Sequence, residues 1–458
     1  MENQTMRLGE LLARWRRAEN KLEFFETLRQ QSDPARLATA MALNTNEREL
    51  DWLLTFFSRV RLTQSNLDVK TIGIYYQRFF NGGVERFLSM IIPIYVRMGY
   101  RVVFFTDVRD EKREYALDTT NVVRIVFRSE SNDAFARLTE LKEYIERYEI
   151  DLFCSHSPVR VLPLIFFFKL LGKPFVLGLH GVFTSYVATT HRLLQPCEFN
   201  HRIFRMADGL VVLSRVFETF WKNLGCNAYY IPNPIPNEVA DFKRNSLQNR
   251  RTILWVGRVV EVKGVRELIP IMREVVKHLP DAKLLVLGGG DKRVFEEMQL
   301  QIEDEHLERN IEFLGYHREV REFYAAADVM LSTSPAEGFS LTIAESKMFS
   351  LPLVSYSLPY LELLRDKRGC LNVRQGDFRA AASAIVTLFR DDRMRTRLSL
   401  EARSSIEPFL NYDFESAWRR VFEDAINGRR PNKRDFDAEQ IELLLMNEIW
   451  RRDRDRKM

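Results

Sequence analysis

The chain predicts an α/β protein of two domains in tandem, each a doubly wound parallel sheet, and three observations carry that reading. From Lys70 onward, short β-branched runs alternate with helical patterns. The runs lack polar alternation, as strands covered on both faces do. A proline-rich and then polar stretch, residues 232–250, interrupts the alternation midway and reads as an interdomain linker. With 458 residues, the chain is also longer than one core usually organises.

In order along the chain, residues 1–68 carry helical periodicity at Leu8, Leu11, Leu12, Trp15, Leu22 and Phe25, and again at Leu50, Leu53, Leu54 and Phe57. They predict a helical extension. Residues 69–237 form the first sheet domain, with strands at Thr71–Tyr75, Arg101–Thr106, Asn121–Phe127, Asp151–His156, Phe175–His180, Gly209–Ser214 and Ala228–Ile231. Crossover helices fit between them, one over Val84–Met98. Residues 238–411 form the second, with strands at Thr252–Val256, Ala282–Leu287, Ile311–Leu314, Asp328–Leu331, Pro352–Ser355 and Cys370–Val373. The last segment, residues 412–458, holds one more helix and a basic, then apolar, then charged tail. A cleft between the two units would suit a large polar ligand.

Composition narrows the function classes. Hydrophobic residues at 46% and charged residues at 29% exclude wholesale disorder. A net charge of +5 suits phosphate-bearing ligands or an anionic membrane face but is too diffuse for nucleic acid, and no stacking or zinc-finger motif supports such a partner. Cys154, Cys197, Cys226 and Cys370 are scattered, so free thiols in a reducing cytoplasm are expected. The first residues do not read as an export signal. The most apolar window, Val159–Leu179, is broken by Arg160, Pro163, Lys169, Lys173 and Pro174 and reads as a buried helix followed by a buried strand.

Several residues stand where open α/β sheets bind ligands, at strand carboxyl ends. Arg258 and Lys263 follow the strand Thr252–Val256 and could neutralise a diphosphate, though loop cations are commonly just solvated. Gly82 and Gly83 precede a helix N-terminus, which suits close ligand approach or a plain tight turn. His180 ends a strand, and a lone histidine is as readily structural. Glu337 falls in a turn and Glu345 inside the helix that follows, so two carboxylates able to grip hydroxyls flank the amides of Phe339, Ser340, Leu341 and Thr342.

Taken together, Gly82-Gly83-Val84-Glu85-Arg86, His180-Gly181, Ser214 after Ala207-Asp208-Gly209, Ile231-Pro232-Asn233-Pro234, Gly257-Arg258 with Lys263-Gly264, and Glu337-Gly338-Phe339 with Glu345 resemble the GT-B glycosyltransferases, in particular the retaining family 4 enzymes. The resemblance spans roughly residues 70–425. It implies a donor diphosphate held by Arg258 and Lys263, ribose hydroxyls on Glu345, and the transferred sugar on Glu337, with Gly82 and Gly83 part of the donor site. The amides of Phe339–Thr342 would complete the phosphate cradle, and His180 would lie beside the reacting sugar. It also implies that the helix near Tyr412–Ile426 returns to the first domain. The chain departs from the family in having Asn233-Pro234 where Asn-Gly is common, and in its long helical extension.

The expected function is therefore transfer of a hexosyl unit from a nucleotide-diphosphate sugar to a glycan, lipid-linked or protein acceptor with retention of configuration. No metal ion or other cofactor is expected, since no Asp-x-Asp follows a strand. An epimerase or phosphorylase of the same architecture, or a non-catalytic scaffold using its terminal helices, are the competing readings. The terminal helices, with Arg14, Arg16 and Arg17 beside Trp15, could serve packing, a second copy of the chain, or a peripheral contact with the inner membrane face.

Overall fold

The computed structural model describes residue 17 and residues 32–44, 68–80, 82–118, 120–158, 161–182, 203–236 and 250–429. The helices expected around Leu8–Phe25 and Leu50–Phe57, the polar part of the linker, and the tail beyond Arg429 lie outside these residues. The chain forms two compact units. One comprises the chain up to Leu213 with Phe217–Ile231 and the stretch from Asp413; the other is built on Pro232–Tyr412.

In the first unit the apolar runs become β1 (Thr71–Tyr75), β2 (Arg101–Thr106), β3 (Val122–Val126), β4 (Leu152–Ser155), β5 (Phe175–Leu179), β6 (Gly209–Val212) and β7 (Ala228–Tyr230). They pair in parallel in the order β3-β2-β1-β4-β5-β6-β7. The second unit holds β8 (Thr252–Val256), β9 (Lys283–Leu287), β10 (Ile311–Gly315), β11 (Val329–Ser332), β12 (Leu353–Tyr356) and β13 (Cys370–Val373), parallel in the order β10-β9-β8-β11-β12-β13. In both sheets the chain starts in the middle, builds one side, then crosses to the other. That reversal opens a crevice at the carboxyl ends of β1 and β4 in one unit and of β8 and β11 in the other.

Helix burial follows the layers. The helix Val161–Leu171 is apolar nearly all round and nearly all of its side chains are buried. The reason is the helix Pro34–Asn44, which packs on it and on the helix Ala134–Tyr148, so that Val161–Leu171 is covered beyond its sheet-facing side. Asp33 starts this covering helix by accepting the amides of Ala35 (2.9 Å) and Arg36 (3.1 Å), and Pro34 stands at the first helical position.

The helix Phe414–Asn427 packs on the first unit. Trp418 is fully buried with its ring edge-on to Tyr95 at 5.2 Å, and Phe422 packs against Tyr95 and Tyr100. Gly209 on β6 admits it: a Cβ there would stand 3.1 Å from Val421. Asp424 then accepts the Tyr229 hydroxyl at 3.0 Å. Among the described residues, no helix is long and apolar enough to cross a membrane.

Candidate active site

In the second unit the chemistry-bearing residues gather where β8 and β11 end. After β8, the turn Glu261–Lys263 closes on Gly264, whose backbone is left-handed (φ 66°). A Cβ at Gly264 would also collide with the Thr333 carbonyl, so only glycine brings these two segments together. The Thr333 hydroxyl ties the corner: it accepts from Trp255 Nε1 (3.0 Å) and donates to the Lys263 carbonyl (3.3 Å). Lys263 Nζ consequently lies 2.7 Å from Glu337 Oε1, with the two side chains 26% and 10% exposed.

The loop carrying Glu337 is held from beneath. The Glu337 amide donates to the Tyr360 hydroxyl at 3.2 Å, and Gln375 Nε2 donates to the carbonyls of Pro335 (3.0 Å) and Ser357 (3.2 Å). Burial raises the Tyr360 hydroxyl well above its ordinary range, so Tyr360 remains a neutral prop. Phe339 anchors the next turn by packing edge-on against Phe409 at 5.9 Å. Its side chain thus serves the core, and what it can offer a ligand is its backbone.

Ser340 caps the helix Leu341–Met348 in a left-handed conformation (φ 64°, ψ 85°), which is uncommon for a residue with a Cβ. The first bond back to it is Ala344 N to Ser340 O at 3.1 Å. The amides of Leu341, Thr342 and Ile343 therefore have no carbonyl of their own helix to meet, which makes this end anion-seeking. Ser340 Oγ and Thr342 Oγ1 are 3.3 Å apart at the same end.

Glu345 is 3% exposed, and its Oε2 accepts the Tyr324 hydroxyl at 2.9 Å. Tyr324 is itself stacked on Phe349 at 5.2 Å. Arg258 is exposed and, among the described residues, has no hydrogen bond or ion pair to its side chain. The structure thus brings Lys263 and Glu337 into direct contact, sets Glu345 in the adjoining helix against Tyr324, and leaves Arg258 a free cation at the same strand end.

In the first unit, Gly82 is the N-cap of the helix Gly83–Arg97 with ordinary extended backbone. Its missing side chain has an internal reason. A Cβ there would collide with Glu85, a buried carboxylate paired with Arg78 Nε at 2.9 Å. Gly83, by contrast, faces open space, since a Cβ there would meet nothing within 4 Å. Close ligand approach is a reason that fits Gly83 and is unnecessary for Gly82.

His180, just past β5, is partly exposed and does not stand alone: its Nε2 is 2.9 Å from Nδ1 of His156. Burial in this apolar setting lowers the His180 imidazole to about 3 and also lowers His156, which the neighbouring His180 lowers further. Both rings are therefore neutral near pH 7.

Residue-by-residue reading of the sequence did not single out His156, Trp255, Thr333, Tyr324, Tyr360 or Gln375, because their partners are distant in sequence. Gly288, Gly289 and Gly290 were a readable signal, three glycines directly after β9. Gly288 has φ 143°, and side chains at Gly288 and Gly290 would collide with the carbonyls of Gly257 and Val259, so this loop is pressed against the Arg258 segment.

Comparison with known proteins identifies the family. Residues 81–239 match the family described as Glycosyltransferase Family 4, and residues 250–391 match Glycosyl transferases group 1. The chain is similar to the poly(glycerol-phosphate) alpha-glucosyltransferase of Bacillus subtilis, 24% identical over 238 residues, a match covering 48% of this chain and 35% of that relative's length. It is 20% identical over 364 residues to an uncharacterised glycosyltransferase of Haemophilus influenzae, covering 77% of this chain and all (100%) of the relative. Among solved structures, the pneumococcal O-GlcNAc transferase GtfA superposes with a TM-score of 0.64 at 12% identity, covering 79% of this chain and 100% of that one. Two parallel-sheet units, a cation–carboxylate corner at a switch point and these matches lead to one conclusion: the chain belongs to the family 4, group 1 glycosyltransferases and has the GT-B fold.

Proposed function

We propose that the enzyme transfers a hexosyl unit from a nucleotide-diphosphate sugar, with retention of anomeric configuration and without a metal ion, to a glycan, lipid-linked or protein acceptor. The observation that carries this reading is the Lys263–Glu337 pair, 2.7 Å apart beside the open amides of the helix Leu341–Met348. The relatives support a uridine nucleotide, since GtfA was solved with UDP and GlcNAc.

The bond from the anomeric carbon to the diphosphate breaks as negative charge grows on the leaving oxygen. Lys263, Arg258 and the amides from Phe339 to Thr342 stabilise that charge, an effect worth about 10²–10³ in rate for a single donor. Glu337, facing Lys263, contacts hydroxyls of the transferred sugar, and Glu345, oriented by Tyr324, takes the ribose. For retention, the acceptor hydroxyl attacks the face that the phosphate leaves. Its proton passes to the departing phosphate oxygen, so no covalent enzyme intermediate is required.

The test is release of nucleoside diphosphate from a panel of nucleotide sugars, with and without a chelator. One donor should be slowly hydrolysed with the chelator present, and Lys263→Ala or Glu337→Ala should abolish that turnover in folded protein. Unchanged turnover in both variants refutes the site. Free epimer as product, or a requirement for phosphate, would point to an epimerase or a phosphorylase. Peripheral association with the inner membrane face belongs to the same proposal and is tested by co-sedimentation with anionic liposomes.

A further inference from the structure

Two buried side chains, Trp255 at 2% and Thr333 at 0% exposure, connect to the Lys263–Glu337 pair from the interior. Trp255 belongs to β8, and Thr333 stands just past the end of the neighbouring β11. Trp255 Nε1 donates to Thr333 Oγ1 at 3.0 Å, and Thr333 Oγ1 donates to the Lys263 carbonyl at 3.3 Å. Gly257 gives the indole its room, since a Cβ there would stand 3.0 Å from the ring. One ring thus lies against the segment that leads to Arg258 and also reaches Thr333.

An indole N–H can only donate, so it takes a lone pair of the threonine hydroxyl and leaves the hydroxyl proton for another acceptor. That acceptor is the Lys263 carbonyl, and the two partners together fix the hydroxyl's direction. Lysine carries its charge on a flexible four-carbon stem, so its aim depends on where both ends are held. Thr333 holds the backbone end, and Glu337 meets the ammonium at 2.7 Å. Glu337 is located from the same place, because the chain runs from Thr333 through Pro335, whose carbonyl accepts from Gln375, directly to Glu337. Any acceptor could satisfy the indole. What singles out this hydroxyl is that its own proton reaches the segment bearing Lys263.

We propose that Thr333, its hydroxyl directed by Trp255, is a positioning residue that sets the Lys263 ammonium for contact with the donor's diphosphate. The identity of the ligand rests on the glycosyltransferase reading above, and the positioning on the two hydrogen bonds and the course of the chain. Thr333 is wholly buried and acts only through Lys263.

The test is a double-mutant cycle in the full-length protein, read by calorimetric binding of UDP, with kcat for nucleoside diphosphate release measured beside it. Thr333→Val deletes the hydroxyl at nearly constant shape, Thr333→Ala deletes it without crowding should the valine variant not fold, and Thr333→Ser keeps it. The Val or Ala variant should bind UDP about fivefold more weakly, as net loss of one hydrogen bond implies, with a comparable fall in kcat, while Thr333→Ser retains near-wild-type values. In the Lys263→Ala background the same Thr333 substitutions should make no further difference to UDP binding, because nothing is left for Thr333 to position. A full loss persisting in that background would show a merely structural role and overturn the proposal, as would a serine variant as weak as the variants lacking the hydroxyl. If the wild type binds UDP but turns over no nucleotide sugar, the functional reading falls, while the binding cycle still decides the positioning. Wild-type protein that binds no UDP would overturn both.

Discussion

At the scale of single residues, the site is held in place by groups other than its candidate ligand-binding side chains. Gly264 lets the Lys263 turn sit against Thr333, and Thr333 in turn holds the Lys263 carbonyl. Gly264→Ala would force a side chain into left-handed backbone, about 1–2 kcal/mol, before counting the collision with the Thr333 carbonyl. We expect a measurable drop in Tm and a larger loss of turnover than of stability, because Lys263 moves with the turn. Thermal melts beside nucleotide-sugar turnover check this. Glu140 shows the same economy away from the site. Burial raises its carboxyl, but hydrogen bonds from Arg128 and Ser129 outweigh burial and bring it from 4.5 to about 2. A carboxylate depressed in the folded state stabilises fully above its ordinary value and progressively less as pH falls toward the depressed one. The Tm gap between wild type and Glu140→Gln should therefore narrow as pH drops from 4.5 to about 2, and melts across that window test it.

At the scale of elements, the strands were the most legible part of the chain. Uninterrupted runs such as Ile72–Tyr75 and Leu284–Leu287 can only be parallel strands covered on both faces, and β1, β2, β8 and β13 have the bounds their apolar runs imply. The window Val159–Leu179 is the buried helix and strand that its punctuation implies. The helix Pro34–Asn44 was not singled out, since its buried face is made of the small or flexible residues Ala35, Ala38, Met41 and Ala42, which give little apolar periodicity. What was illegible is contact between distant positions. Nothing local to Tyr324 says that it serves Glu345, and nothing local to Gly178 says that it makes room for His156. The return of the helix Phe414–Asn427 to the first unit follows the resemblance, but the seat of its Trp418 against Tyr95 and Phe422 was not legible. Trp418→Ala should destabilise the protein by about 3–5 kcal/mol. Chemical denaturation followed by far-UV dichroism measures it, and a loss below about 1 kcal/mol would show that the helix is loosely attached.

At the scale of the molecule, both sheets use the same topology, and each places its polar candidates at the crevice where strand order reverses. In the second unit those candidates form a corner rich in donors, with an ammonium, a guanidinium and unbonded amides, and one partly buried carboxylate set within it. In the first unit they are neutral: an imidazole pair and the open side of Gly83. The charged candidates thus lie in the second unit and the uncharged ones in the first.

The ion pair between Lys263 and Glu337 invites a simpler explanation, that it merely fastens two loops. The most direct measurement is nucleoside diphosphate release by the exchanged double variant, Lys263→Glu with Glu337→Lys, compared with each single alanine variant and the wild type. The exchange keeps an ion pair and its contribution to folding but reverses which group faces the diphosphate. We predict a wild-type-like Tm with turnover reduced about 10²–10³-fold, no better than the alanine variants. Recovery of wild-type turnover on exchange would show that the pair is only a structural clasp and would contradict its role in parting a sugar from its diphosphate.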